Sequence, residues 1–119
     1  MENSEQFHTR ELESMAGDDL PFIIKMLETF SFTVPPFIEK MKGASEAKDF
    51  TELKHIAHRL KPSFHYLGRP DLNQLLGIIE NGGGTQNEAD ILAGAQNFIH
   101  AAYPMMIAVD EHIEKIKQE

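Results

Sequence analysis

Apolar residues recur at intervals of three and four along most of this 119-residue chain, a spacing that places them on one side of an α-helix. No segment alternates polar and apolar residues between hairpin turns, as a half-buried β-strand would. The pattern therefore predicts an all-α protein. The length suits one domain with a single core, spanning residues 1–119,.

A short helix and a capping residue precede the first long apolar stripe. A first helix is predicted from about Thr9 to Ala16, and Gly17 ends it,. Asp18 or Asp19 can then cap the second helix, because a carboxylate accepts the free N–H groups of a first turn. We expect this first helix to lie at one end of the molecule.

The second and last helices are long, and each contains proline. The second carries an apolar stripe over Leu20–Met41, which Pro35–Pro36 interrupt without changing its phase. One kinked helix is therefore favoured over two unrelated ones. The last helix begins within Thr85–Asn87, where Thr85 and Glu88 have the spacing of a capping box, and Pro104 should bend it,.

The third and fourth helices are shorter. The third opens at Asp49, which has the capping-box spacing with Glu52, and it closes near Gly68,. The fourth spans about Pro70–Asn81 and ends in Gly82–Gly84,. Four sizeable amphipathic helices with short connections predict an antiparallel four-helix bundle with a short additional N-terminal helix.

Charge and composition exclude several classes of function. The formal net charge is −8, from 11 basic and 19 acidic residues, which argues against a nucleic acid partner. There is no cysteine, so disulfides and thiol chemistry are excluded. The N-terminus lacks the features of a secretory signal, and no apolar run approaches the ~20 residues that span a bilayer. We expect a cytoplasmic protein that does not insert in membranes.

The third helix carries the candidate chemistry. His58 lies outside its apolar arc, and Lys54, Lys61 and His65 follow the same edge of the polar face at positions −4, +3 and +7,. No acidic residue occurs between Leu53 and Pro70, so this helix forms a local positive patch,. An exposed imidazole beside a cation is suited to carrying a phosphoryl group.

The segment Ala57-His58-Arg59-Leu60-Lys61-Pro62-Ser63, followed by Leu67-Gly68, resembles the signature of histidine-containing phosphotransfer (HPt) domains, A-H-x-L-K-G-S with a later L-G. The helix pattern on both sides of the segment also fits that family. The resemblance implies a four-helix bundle that relays phosphoryl groups in multistep two-component signalling. Its implied partners are response-regulator receiver domains and a hybrid histidine kinase.

Residue by residue, the resemblance implies that His58 is the phosphoacceptor, that Lys61 stabilises the phosphoryl charge and that Gly68 closes the helix. Some family members have a glutamine twenty-two residues after the histidine, where this chain has Glu80. A carboxylate there could orient the imidazole through Nδ1 and make Nε2 more basic. Pro62 replaces the glycine of the signature, so a bend is expected at the site and the fit of partners is affected.

The resemblance further implies that partners dock on the surface around His58. The exposed docking candidates on this helix are Lys54, His55, Arg59, Pro62, His65 and Tyr66. Magnesium is expected on the receiver rather than on this chain, which shows no acidic cluster suited to the ion and for which no cofactor is expected. The chain would be a phosphoryl carrier rather than an enzyme, acting as a freestanding monomer.

Two other classes of function remain open from the sequence. Glu52-x-x-His55 has the helical spacing of carboxylate-bridged diiron bundles, with Glu5-x-x-His8 as a second instance,. Alternatively, the chain is a non-catalytic helical interaction module, for which His58 would be dispensable. The donor, the acceptor and the direction of phosphate flow are not encoded in any motif.

Overall fold

A computed structural model describes residues 6–17, 19–81 and 87–118. Within these ranges every regular element is an α-helix, which confirms the predicted fold class. The five helices are α1 (Arg10–Ala16), α2 (Leu20–Ala47), α3 (Phe50–Tyr66), α4 (Pro70–Asn81) and α5 (Glu88–Lys117). No helix in the described part of the chain is both long and apolar enough to span a bilayer.

The four longer helices form a ring in which α2 and α4 each pack against both α3 and α5. Side-chain pairs show that α2 and α5 run in opposite directions: Glu28 with Lys117, Ser31 with Asp110, and Glu39 with Tyr103. The helices α2 and α3 are likewise opposed, because Phe30 stacks on Tyr66 while Phe37 lies under Arg59. The short α1 contacts α2 and α3.

Three of these helices continue through internal proline. The helix α2 is unbroken across Pro35 and Pro36, as predicted, α3 continues through Pro62, and α5 continues through Pro104. Each proline removes one helical hydrogen bond, and the packed apolar face of the helix compensates for that loss. The bends expected at these positions stay predictions.

Side-chain caps fix where the longer helices begin. Asp19 caps α2, Asp49 caps α3 and Asn87 caps α5, in each case by accepting backbone N–H groups of the first turn,. The other two predicted capping residues, Asp18 and Thr85, lie outside the described residues. Asn87 therefore supplies the cap that the structure describes for the last helix.

The turn between α3 and α4 determines which residues of the two helices face each other. Gly68 has a φ of 71°, a left-handed conformation that glycine adopts without steric cost. Its N–H donates to the carbonyl of His65, and the N–H of Arg69 donates to the carbonyl of Phe64, the two bonds of a Schellman motif. The chain then reverses, and α4 begins at once with Pro70.

The segment before α1 packs over this turn. The His8 N–H donates to the Leu67 carbonyl at 2.9 Å, and the Phe7 side chain is buried with its ring edge-on to His112. The His8 ring lies so close to Gly68 that a Cβ at residue 68 would collide with it. The N-terminal segment thus joins α5 to the α3–α4 turn.

Candidate functional site

His58 lies on the polar side of α3. Its neighbours Ala57 and Leu60 are buried in the core, so the face of α3 that packs inward is the predicted one. The imidazole is 74% exposed. It is therefore open to solvent, as the helical pattern led us to expect.

Glu80 of α4 joins His58 to Lys61. The Oε2 atom of Glu80 lies 2.6 Å from Nδ1 of His58, and Oε1 accepts a hydrogen bond from Nζ of Lys61 at 3.2 Å. An ionised carboxylate has no proton to donate, so Nδ1 of His58 carries the proton in this contact. The lone pair of the imidazole is then at Nε2, the nitrogen that faces away from Glu80.

The charge state of Glu80 follows from the same contacts. Burial raises the pKa of Glu80, but hydrogen bonds from His58 and Lys61 and the positive charge of Lys61 lower it more,. The net pKa lies below the ordinary value of 4.5. Glu80 is therefore a carboxylate at neutral pH.

A groove extends from His58 toward α2. Phe37 and Lys40 of α2 line it together with Lys54, His55 and Arg59 of α3. The Lys40 ammonium and the Arg59 guanidinium each lie 5.5 Å from the centre of the Phe37 ring, within the range of a cation–π contact. This side of the site combines positive charge with an aromatic surface.

A second, shallower hollow lies on the α4 side of His58. It is lined by His58, Lys61, Pro62, His65, Asn73 and Glu80. The ring of Pro62 therefore forms part of the surface next to the imidazole, where the resemblance expects glycine. A partner that approaches from this side contacts that ring.

The predicted docking residues differ in how exposed they are. The exposed ones are His55, Arg59, Pro62 and His65, whereas Lys54 is only partly exposed. Tyr66 is half-buried, with its ring centre 6.4 Å from that of the buried Phe30. The prediction that Tyr66 is exposed is therefore wrong, because its ring packs against the core from the α2 side.

Some features of the site were not predicted from the sequence. The ion pair between Lys61 and Glu80 depends on the register of α3 against α4, which no helical pattern specifies. Phe37 and Lys40 reach the groove from α2. Their place could have been inferred from the short α2–α3 connection, which brings the last turns of α2 alongside the first turns of α3.

The Glu52-x-x-His55 pair does not lie inside the bundle, as a diiron site would require. His55 is exposed and Glu52 is half-buried, and both line the surface groove beside His58. Glu5, from the second instance of the motif, lies outside the described residues. Among the residues that the structure describes, no group of three or more histidine or acidic residues could hold a metal ion.

The sequence model of a protein family described as the Hpt domain matches residues 25–119. No curated protein and no solved structure matches the chain. The matched range contains all of α3, α4 and α5 and most of α2, whereas α1 lies before it.

Proposed function

Because the chain belongs to the Hpt domain family, whose members carry phosphoryl groups on histidine in phosphorelays, we propose that His58 is its phosphoacceptor. The group comes from an aspartyl phosphate of one receiver domain and passes to an aspartate of another. The observation that carries the proposal is the exposed imidazole whose Nδ1 lies 2.6 Å from a carboxylate. That contact leaves the free lone pair at Nε2, on an imidazole that is 74% exposed.

The transfer is a displacement at phosphorus. The Nε2 lone pair of His58 forms the new P–N bond, the P–O bond of the aspartyl phosphate breaks, and its electrons stay on the receiver's carboxylate. The proton on Nδ1 remains hydrogen-bonded to Glu80, so the positive charge that develops on the ring is stabilised. The reverse sequence passes the group to the next receiver.

Lys61 provides positive charge on the same side of the helix. Phosphoryl transfer has a loose transition state with negative charge on the peripheral oxygens, so a nearby cation lowers its energy. Lys61 is 40% exposed and is held by Glu80 at 3.2 Å. We propose that it turns from Glu80 toward the phosphoryl oxygens as the group arrives, while Glu80 keeps its bond to His58.

The receiver supplies the rest of the catalytic groups, including the magnesium ion, and no resident cofactor is proposed for this chain. Within the phosphorelay, the chain is then a carrier between a hybrid kinase and its response regulators rather than an enzyme. The proposed docking surface is the face around His58, with Lys54, His55, Arg59, Pro62 and His65. Its positive charge suits the acidic pocket in which a receiver holds its metal ion.

Phosphate labelling of the His58→Gln variant tests the proposal. The wild-type chain, His58→Gln and a control variant, His100→Gln, are each treated with two kinds of donor. These are phosphoramidate, a small molecule, and a panel of phosphorylated receiver domains. The His58→Gln chain should take no acid-labile label from either kind of donor. His100→Gln is the matched control, because His100 is exposed on α5, and it should be labelled like the wild type.

Two results would overturn the proposal. The first is equal labelling of His58→Gln and the wild type, and the second is failure of both donors to label the wild type. If partner signalling in cells also survives His58→Gln, the chain acts as an interaction module without phosphoryl chemistry. Circular dichroism and thermal melting show whether each variant keeps the wild-type fold.

A further inference from the structure

The contact between His58 and Glu80 sets a register that continues along α3 and α4. Seven residues after His58 on α3 is His65, and seven residues before Glu80 on α4 is Asn73. Seven residues are two helical turns, or about 10 Å. His65 and Asn73 line the hollow beside His58, and they also line a second hollow farther along, together with His8 and Glu11.

These two hollows form one furrow along the surface between α3 and α4. We define the far end of the furrow as Glu11, His65 and Asn73. The Oε1 atom of Glu11 lies 3.7 Å from Nε2 of His65, and the two side chains are 49% and 62% exposed. Both polar groups can therefore be reached from solvent.

Asn73 has an unmet hydrogen-bonding group at the far end of the furrow. Its Oδ1 atom is buried and accepts no hydrogen bond, an arrangement that is unfavourable for a polar atom. Asn73 as a whole is nevertheless half-exposed, and it borders both hollows. Rotation of the amide in response to a bound donor would give Oδ1 the partner it lacks.

Glu11 is held in place by the packing of the N-terminal segment. Leu12 is fully buried, and the His8 N–H is hydrogen-bonded to the carbonyl of Leu67. The position of Glu11 relative to His58 is therefore fixed by the fold. Glu11 lies before the segment that the family model matches, residues 25–119.

Charge differs between the two ends of this surface. Beside His58, Lys61 is paired with Glu80 in the furrow, and the cations Lys54 and Arg59 lie in the adjoining groove toward α2. At the far end, Glu11 contributes a carboxylate. A docking domain with the opposite polarity would fit in one orientation only, since electrostatic complementarity fixes register as well as affinity. Such a domain is acidic at the reacting end and carries a lysine or arginine about 10 Å away.

We propose that the far end of the furrow is a second contact for the receiver domain, which selects receivers that present a cationic side chain to Glu11 and a hydrogen-bond donor to Asn73. The inference rests on the proposed function, because it assumes that a receiver docks at His58. If the inference holds, residues of α1 and α4 take part in the choice of partner together with residues of α3.

Charge reversal at Glu11 tests this inference. In the full chain, Glu11→Lys should lower the rate of labelling by the preferred phosphorylated receiver at least fivefold, because two cations would then face each other. Glu114→Lys is the matched control, since Glu114 lies in a hollow between α2 and α5, and it should leave that rate unchanged. Labelling by phosphoramidate needs no docking surface, so it should not differ between the two variants.

A second pair of variants tests the amide. Asn73→Ala should slow labelling by the receiver without slowing labelling by phosphoramidate. The control Asn97→Ala, at an exposed position of α5, should be labelled by both donors at the wild-type rate. Thermal melting of all four variants identifies any loss of fold. Since Oδ1 of Asn73 has no hydrogen bond to lose, Asn73→Ala should melt close to the wild type.

The outcomes separate this inference from the proposed function. If Glu11→Lys and Asn73→Ala are labelled by the receiver as fast as their controls, the second contact is refuted while His58 keeps its role. If the wild-type chain takes label from phosphoramidate but from no receiver in the panel, the second contact is refuted as well. If no donor labels the wild type, both the proposed function and the inference fail.

Discussion

The α3–α4 face and the α2–α5 face both carry polar contacts between helices, but the contacts are organised differently. On the α3–α4 face they converge, because His58 and Lys61 both bind the carboxylate of Glu80. On the α2–α5 face they are spread along the helices: Glu28 with Lys117, Ser31 with Asp110, and Tyr103 with Glu39 and Lys42. No histidine takes part in these α2–α5 contacts.

The comparison shows what distinguishes a candidate reaction site from ordinary surface. Isolated ion pairs between exposed side chains contribute little to stability and are common on the surfaces of helical bundles. The α2–α5 face also leaves Phe32 and Ile107 81% and 59% exposed, and single exposed apolar residues of this kind need no functional explanation. A carboxylate that binds an imidazole and an ammonium group together is a more specific arrangement, because each contact restrains the other.

Among variants that keep His58, the largest effect is expected at Lys61. Lys61→Glu should lower the rate of phosphoryl transfer to this chain by about tenfold, because it places negative charge beside the incoming group. Lys42→Glu makes the same change on the α2–α5 face and should leave the rate at the wild-type value. Both rates are measured by transfer from a phosphorylated receiver. Equal rates for the two variants would mean that the α3–α4 face is no more important for transfer than the α2–α5 face.

Glu80→Gln should have a smaller kinetic effect, a loss of roughly threefold in the transfer rate. The amide oxygen can still accept from Nδ1 of His58, so the tautomer is kept, but the charge that makes Nε2 more basic is lost. Glu114→Gln is the matched control and should transfer at the wild-type rate. A wild-type rate for Glu80→Gln as well would show that orientation alone matters.

Glu80 should also make stability depend on pH. Its pKa in the folded chain lies below the ordinary value of 4.5, so the folded state binds fewer protons than the unfolded state between the two values. The stabilisation is therefore complete above about pH 5 and is lost as the pH falls through the folded pKa. Urea unfolding of the wild type and Glu80→Gln should differ by up to about 1 kcal/mol at pH 6, and less at pH 3.

Glu114→Gln is the matched control in the same unfolding measurements, because Glu114 is an exposed carboxylate of α5. If both variants lost the same amount of stability at each pH, the effect would not be specific to Glu80. If the difference in free energy of unfolding between the wild type and Glu80→Gln did not change with pH, the ion pair assigned to Glu80 would be contradicted.

The smallest effect is expected for Asp110→Asn on the α2–α5 face. An amide can still accept the hydrogen bond from Ser31, so the free energy of unfolding should change by less than about 0.5 kcal/mol. The rate of phosphoryl transfer should be the same as in the wild type. A slower transfer would mean that the α2–α5 face also takes part in partner binding.

Local patterns were enough to predict the helices, because each has a periodic apolar face and most have a capping residue. Asp19 and Asp49 cap α2 and α3 as expected. The exposure of His58 was also predictable, since it depends only on its angular position on α3. Such properties follow from the spacing of residues within one helix.

Contacts between helices were harder to predict. The bond from His58 to Glu80 was suggested by family resemblance, whereas the ion pair of Glu80 with Lys61 was missed because it depends on the turn at Gly68. Tyr66 was misplaced because its position on α3 is near the edge of the apolar stripe, where packing against Phe30 decides its exposure. The docking of the N-terminal segment has no periodic signal at all.

The burial of this N-terminal segment has a practical consequence for protein expression. A fragment cut to the range of the family match, residues 25–119, would lack Phe7 and Leu12, whose side chains are 5% and 0% exposed. Their removal would open a water-filled cleft at one end of the molecule and leave the carbonyl of Leu67 without its donor. The boundary recognised by family comparison is therefore not a safe place at which to truncate the protein.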